Sequence, residues 1–556
     1  MRPSALIKML IPLVISFSAQ GQVSYQFLNY SLRTSNDWQR SGQSDSVRQS
    51  SFYPNIVSDL GSSATDYNGY LPVNRADSLF LKNRKYSERS WFHRKLLKEH
   101  FVVVDTGLLY LTIDPLFNFS AGSGKFSRYE GDGRFAENKG KVYTNTRGIL
   151  VKGDLGTKLS FESYFYENQS RLPGYVSDFV DEYGVVPGQG RVKNFKGNAY
   201  DYAQSGGYVS YAPFRNFNIQ AGHHKHFIGD GYRSFFLSDN SYNYPFVRFN
   251  MWFLKNKLNY SVMYASFQNL KRLPTPATSE AAFQRKAGSF HYLQYQVADW
   301  LRLNLFQGMI WKTMDTTGKS EIDYNMFNPV MFVNPAMYGL DSRQNAILGF
   351  GFKANAGRKL TLYGQYALDD NAMERFAVQG GFYYFIRKTL RLQLEFNHAS
   401  PNTYQAPTAL DHRNSYTHYN QALAHPLGTG FDEFILKLNY RLNRFLFETQ
   451  LNLAGHNNKW PDYGNDVFAS NYKTYSIPPR PTSYDRTIST NQSPFIFYTE
   501  IAYLINAATN AKIFINWTYR NSWANYSSVS GYLPPSTNNF VYFGLRTDLR
   551  NLYYDF

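Results

Sequence analysis

Cysteine is absent from all 556 residues, which excludes disulfides, thiolate metal sites and a lipid-anchored cysteine. Long apolar runs are scarce too. Beyond the N-terminal stretch nothing approaches the roughly 18 consecutive apolar residues of a membrane-crossing helix. No glycine-rich phosphate loop or nucleic-acid module occurs, and no blade-length repeat of the kind a β-propeller shows. Neither a cofactor nor a nucleic-acid partner is therefore expected. Acidic residues are outnumbered, 41 Asp and Glu against 58 Lys and Arg, a net charge of +17. That excess suits an anionic partner, such as an acidic polysaccharide or lipid phosphates, or a basic surface resting on an anionic membrane.

What the chain has in quantity is aromatic residues, with 46 Tyr and 45 Phe, at a mean hydropathy of −0.45. Soluble enzymes rarely combine the two. A barrel in an outer membrane does, with a polar lumen, polar loops and aromatic girdles. Met1–Gly21 reads as a secretory signal: Arg2 and Lys8, the apolar run MLIPLVISF, then Ala19-Gln20-Gly21 as a cleavage site that would leave Gln22 first. Residues 22–104 are rich in Ser, Asn and Asp and poorly periodic. They are expected to form a small periplasmic segment with short helices at Asp77–Leu81 and Arg89–Lys98. The second is basic and amphipathic, suited to a membrane surface, to a barrel mouth or to plain solvation.

From residue 105 to 556 the pattern becomes alternation. Leu390, Leu392, Leu394 and Phe396 interleave with Arg391, Gln393, Glu395 and Asn397; Ile513, Ile515, Trp517 and Tyr519 interleave with Lys512, Asn516 and Arg520. Period two places each set on one face of a strand. Tight links at 153–156, 212–216, 255–257, 298–300, 355–358, 387–389, 441–443 and 506–510 alternate with mostly long connections at 168–202, 225–244, 269–284, 313–344, 399–429, 456–493 and 521–537. Short turns inside and long loops outside are the habit of bacterial barrels. The expectation is an all-β transmembrane fold, an antiparallel outer-membrane barrel of about 18 strands, in contact with outer-membrane lipid and lipopolysaccharide. Inward charges of both signs (Arg302, Arg391, Glu395, Glu433, Lys437, Glu448, Glu500, Lys512, Arg520) would pair and close the lumen. Phe556, taken as the end of a last strand, resembles the aromatic signal read by the barrel insertion machinery.

One stretch stands apart: Gly222–Pro245, GHHKHFIGDGYRSFFLSDNSYNYP. Gly229 and Gly231 are expected to break the preceding strand by adopting positive φ. Ser234, Ser238, Asp239 and Asn240 hold tight loops through their own backbone, and Pro245 fixes the start of the next strand. The sequence Gly229-x-Gly231, then Ser234-Phe235-Phe236-Leu237-Ser238-x-Asn240 and Pro245, resembles the signature of the Wzi-type capsule-assembly barrels and their gliding-associated, RemB-type relatives. His418–Gly428, HYNQALAHPLG, resembles the gliding-type branch. Where capsule-type members often carry tryptophan near the first glycine, Phe227 and Ile228 stand here. The resemblance implies a role at the cell surface, in capsule or exopolysaccharide attachment or in gliding-type adhesion, by binding an acidic glycan through outer loops. The rivals are a porin or transporter, or a component of a secretion or motility complex with periplasmic or surface protein partners.

Candidate ligand contacts are Arg233, Asn240, His418, His425, Trp460 and Trp523. Arg233 and Asn240 either face outward to anions and hydroxyls, or serve the loop itself, with Arg233 paired to Asp230 or Asp239 and Asn240 capping a turn. Trp460 and Trp523 sit among polar residues in long loops, where a flat ring can stack on a sugar. His223, His224 and His226 lack a convergent donor set on a strand, so no metal is expected. The crowd His398, Ser400, Asp411, His412, Ser415, His418 and His425 carries no nucleophile-elbow motif, so no enzyme is expected.

Overall fold

The computed structural model describes residues 25–34, 48–56, 90–129, 135–273, 281–315, 317–340, 344–369, 373–406, 414–456, 492–524, 536–547 and 550–556. The alternating segments form eighteen antiparallel strands that close on themselves. They are β1 (Leu109–Tyr129), β2 (Phe135–Leu155), β3 (Leu159–Arg171), β4 (Ala199–Phe214), β5 (Phe217–His224) and β6 (Tyr244–Phe253). Next come β7 (Leu258–Arg272), β8 (Phe283–Ala298), β9 (Leu301–Lys312), β10 (Asn345–Ala356), β11 (Leu360–Leu368) and β12 (Phe376–Arg387). The circle ends with β13 (Leu390–Ala399), β14 (Phe431–Leu442), β15 (Phe445–His456), β16 (Gln492–Asn506), β17 (Ala511–Ala524) and β18 (Ser536–Thr547). Short helices are α1 (Tyr30–Thr34), α2 (Trp91–Leu97), α3 (Gly174–Tyr183) and α4 (Val333–Tyr338).

The barrel is polar inside and apolar outside. On β13, Arg391, Gln393, Glu395 and Asn397 are buried, whereas Phe396 is exposed. Exposed Phe434, Ile501, Ile513, Trp517 and Phe543 continue the outward band on β14 and β16–β18. Two pairs form within the expected set, Lys437 Nζ with Glu448 Oε1 at 2.8 Å and Lys512 Nζ with Glu500 Oε1 at 3.3 Å, and Arg546, outside that set, holds Glu500 Oε2 at 2.8 Å. Arg302, Arg391 and Arg520 instead donate to Gln49 O, Gln393 Oε1 and Phe556 O. Every tight link of the sequence falls at a turn on one end, the periplasmic end by the rule of short turns.

Four placements differ from expectation. The stretch 225–243 does not rise above the barrel but folds into its lumen, where all but two of its residues are buried. The reason is Phe235-Phe236-Leu237, a fully buried apolar triplet that finds aromatic cover only inside. Second, the last strand ends at Thr547, and residues 550–556 turn into the lumen, so Phe556 is not on a strand. Third, the described parts of 22–104 divide. Residues 25–34 and 48–56 lie in the lumen: Arg48 Nε donates to Asn256 Oδ1 (2.9 Å) at a periplasmic turn, and Phe52–Tyr53 pairs antiparallel with Phe227–Ile228. Helix α2, capped by Ser90, instead sits at the periplasmic turn after β16, where Asn506 Nδ2 donates to Lys95 O (3.0 Å) and Glu99 O (2.9 Å). The expected signal and the helix at 77–81 lie outside the described residues. Fourth, the connection 313–344, expected as a polar outer loop, packs against the outer wall.

The seam between β18 and β1 is shared. β18 pairs with residues 118–126 of β1, Phe117 and Thr547 bridge (3.1 Å), and Val102–Asp105 pairs with residues 110–113 below. The upstream chain thus completes the wall where the last strand leaves it.

Candidate functional site

The lumen is filled by the loop 225–243, the segments 25–34 and 48–56, the stretch 414–430 and the tail 550–556, and several of them meet around Arg233. The inward loop reaches strands on opposite sides. Tyr232 N and Arg233 N donate to Glu395 on β13 (2.7 and 3.0 Å), Phe235 N to Gln365 on β11 (2.9 Å), and Asn243 Nδ2 to Ser205 O on β4 (2.8 Å). Phe236 stacks on Phe306 of β9 with centroids 4.7 Å apart. Arg233 is buried, its fork holding Glu433 (Nη2–Oε1 2.8 Å) and Asp555 (Nη1–Oδ1 3.2 Å). Burial alone would lower its pKa, but the Asp555 and Glu433 carboxylates raise it well above the ordinary value. Arg233 therefore faces neither solvent nor its expected partners Asp230 and Asp239. Lys353 takes the first at 3.2 Å, and Tyr553 and Asn551 take the second at 2.7 and 2.9 Å.

The tail runs up the lumen as a spine. Asn551 bonds the first lumen segment, through Tyr30 N (2.7 Å) and Leu28 O (2.9 Å). Tyr232 OH donates to Asp555 Oδ2 (2.8 Å). At the top, Arg520 Nε donates to Phe556 O (3.1 Å), and the Phe556 ring lies 5.2 Å from Phe179 on α3.

The remaining candidates divide by burial. Asn240 is buried, its Nδ2 donating to Ala422 O (3.3 Å). His418 is buried; its Nδ1 accepts from Gln268 N and its Nε2 donates to Asn243 O, both at 3.0 Å. Burial pushes its pKa down to about 3. His425, also buried, bonds Glu433 Oε2 (2.8 Å) and Leu427 N (3.1 Å). These four, expected to face a ligand, instead brace the filled lumen, because each polar side chain placed there must be satisfied by protein. Trp523 belongs to β17, in register with Ser493. Trp460, Asp411 and His412 lie outside the described residues. Gly231 is required for a reason other than φ: a Cβ there would stand 2.6 Å from Glu395 Oε2 and 2.8 Å from Gln379 Oε1. Gly229 has φ +156° and the same crowding, 2.7 Å from Gln365 Nε2. Ser234 Oγ accepts from Phe236 N (3.1 Å), Ser238 N donates to Leu423 O (2.7 Å), and Pro245 lies in register with His223 at the start of β6.

What faces outward above the plug is a cluster that the sequence did not single out. Tyr419 and Asn420 form a two-residue hairpin turn between Thr417–His418 and Gln421–Ala422, with φ +54° and +53°. Asparagine tolerates this region; tyrosine rarely adopts it. The turn is pinned by Tyr419 N to Gln268 O (2.7 Å), Leu270 N to Asn420 Oδ1 (3.1 Å) and Asn420 Nδ2 to Tyr183 O (3.0 Å). So held, half-buried Tyr419 stacks on Tyr242 with centroids 4.6 Å apart. Beside them the exposed Arg191 and Arg272 flank the Phe283 ring at 5.2 and 4.6 Å. Tyr242 and Tyr419 lie within the two stretches that stand apart in the sequence, 222–245 and 418–428, but neither ring is a candidate contact there.

A closed barrel with an apolar outer band and its backbone bonded strand to strand is the structure that spans an outer membrane. The chain is an outer-membrane β-barrel, and its place is the bacterial outer membrane. No protein-family profile and no curated protein matches it. Among solved structures it is similar to Wzi of Escherichia coli, described as an outer-membrane protein involved in group 1 capsule assembly and a carbohydrate-binding β-barrel. There the identity is 12%, over 95% of this chain and 100% of that chain, with a TM-score of 0.51. It is also similar to two Pseudomonas aeruginosa barrels. For OpdK, solved with vanillate, identity is 8%, coverage 78% of this chain and 98% of that one, and TM-score 0.38. For OpdO the figures are 11%, 81%, 98% and 0.38. At such identities the likeness is one of fold.

Proposed function

We propose that the protein binds an acidic surface polysaccharide at its outer mouth and holds it to the cell, as a binding protein rather than an enzyme or a conduit. The observation that carries this reading is the cluster of Tyr242, Tyr419, Phe283, Arg191 and Arg272 above a filled lumen. Flat rings stack on sugar faces while guanidinium forks pair with carboxylates. A turn tyrosine held at positive φ is a local cost of the kind that gathers at binding sites. The carbohydrate binding described for Wzi supports the same chemistry here, and the resemblance of 229–245 and 418–428 to RemB-type motifs would extend it to adhesion during gliding.

The test is binding of the purified, folded barrel to polygalacturonate, with a neutral dextran as control. Tyr419→Ala and the pair Arg191→Ala, Arg272→Ala should each weaken binding by about tenfold, roughly 1.4 kcal/mol. The arginine variant should also lose salt dependence. Unchanged binding in both, or steady single-channel conductance in planar bilayers, would sink the reading.

A further inference from the structure

The connection between β9 and β10 covers a part of the wall that lipid should touch. Outward positions on β7 to β10 include Tyr260, Tyr264, Ser289, His291, Gln307, Met309, Trp311 and Ala346. Ser289, His291, Gln307, Met309, Trp311 and Ala346 are buried even so. Met326 and Leu340 pack onto Met309, Trp311 and Ala346, and the Phe327 ring lies 5.9 Å from Trp311 and 5.3 Å from Tyr264. The covering chain leaves the wall at Lys312, in register with Lys286 and so with Phe267. It descends to Tyr260, whose hydroxyl donates to Pro329 O at 2.7 Å. Seven residues of β7 separate those levels, about 23 Å of strand, comparable to the height of a barrel's apolar band, about 25 Å.

This strap has a composition that hydrocarbon favours. Tyr324–Leu340 contains no charged residue. Its outer side chains, Tyr324, Phe327, Val330, Phe332 and Met337, are large, apolar and exposed. In lipid each backbone polar group needs a partner within the protein, and several of the strap's find one inward or within the strap. Tyr264 OH donates to Phe327 O (2.8 Å), Phe332 N donates to Gln307 Oε1, and Val330 N to Asn328 Oδ1 (2.9 Å). Helix α4 and the turn at 324–327 bond themselves, through Ala336 N to Phe332 O (3.0 Å), Gly339 N to Pro335 O (2.8 Å) and Met326 N to Asp323 O (3.2 Å).

We propose that residues 324–340 are embedded in the outer membrane, a strap whose outer face meets lipid acyl chains and whose inner face shields His291 and Gln307 from them. The occupant is lipid rather than a second copy because the strap continues the lipid-facing wall on either side and leaves no charged group for a partner to pair.

The cysteine-free chain makes the test direct. Single cysteines at Val330, Met337 and, as a water-side control, Thr317 are spin-labelled in the full-length protein, reconstituted in phosphatidylcholine vesicles. Heat-modifiable migration checks each for folding, with Phe332→Cys as the alternate position. Labels at 330 and 337 should relax strongly with oxygen and weakly with a water-soluble nickel chelate, and the label at 317 the reverse. Greater relaxation by nickel at 330 and 337 would place the strap in water, and shielding from both reagents would place protein over it. Either result overturns the proposal.

Discussion

Replacing Arg233 by alanine should unfold the middle of the protein rather than weaken a surface. The side chain makes four bonds: Nη2 to Glu433 Oε1 (2.8 Å) and Asp555 O (2.8 Å), Nη1 to Asp555 Oδ1 (3.2 Å) and Nε to Glu433 Oε2 (3.3 Å). Its removal leaves Glu433, 1% exposed, as a buried carboxylate with only His425 beside it to supply charge. Breaking a buried pair from one side costs about 3–5 kcal/mol. Asp555 is 12% exposed, so Asp555→Asn should cost less, about 1–3 kcal/mol for a lost charged bond. The assay is urea unfolding in lipid vesicles followed by tryptophan fluorescence, with the heat-modifiable folded fraction measured in cells. Arg233→Lys should recover part of the loss, because an ammonium restores charge but not the fork. A normal unfolding midpoint and normal folded fraction in Arg233→Ala would refute the argument, and would return Arg233 to the surface role its sequence context suggests.

Two further outcomes follow from crowding and from burial. Gly231→Val should block assembly, since even the first side-chain carbon would stand 2.6 Å from Glu395; at Gly349 a Cβ would run into the Phe236 ring, so Gly349→Val should expel that ring, and normal assembly of both would contradict the packed lumen. The His418 pKa, lowered by burial from 6.5 to about 3, means that the unfolded chain takes up a proton there that the folded one refuses. The His418 contribution is complete above about pH 6.5 and is lost by about 1.4 kcal/mol per unit between there and about pH 3, alongside the other buried histidines. A His418→Gln variant should make the acid slope shallower by about 1.4 kcal/mol per unit, and an unaltered slope would contradict the burial of His418.

The barrel was legible because alternation states which face each side chain takes, and turn chemistry states where strands end. Leu390–Asn397 and the tight link at 387–389 needed nothing more. Alternation does not say where a connection goes once it leaves the wall. Residues 225–243 carry Ser, Asn and Asp suited to an outer loop, and the same groups suit a lumen lined with Gln365, Gln379 and Glu395. Only Phe235-Phe236-Leu237 argued for the interior. The run 324–340 carries no charge, but its helices are too short to register as membrane segments. The tail was misplaced because Phe556 fits a strand end by residue type alone, whereas its partners Phe179 and Arg520 are distant in sequence.

The shared seam bears on how the wall closes during biogenesis. Val102–Asp105 and residues 110–113 form a local hairpin that can fold as soon as both have emerged, long before β18 exists. Local pairings form fast and distant ones slowly. By the time β18 arrives, the lower edge of β1 is already capped, and only residues 117–126 remain as a template. The hairpin then acts as a register stop. A strand sliding a few pairs too far would collide with Val102, paired to Ile113, and with Phe101, bonded to Asp114, and one stopping short would leave Phe117 without Thr547. The ring is zipped from a fixed end, and the leftover chain has one direction in which to go: inward, as the spine of the plug.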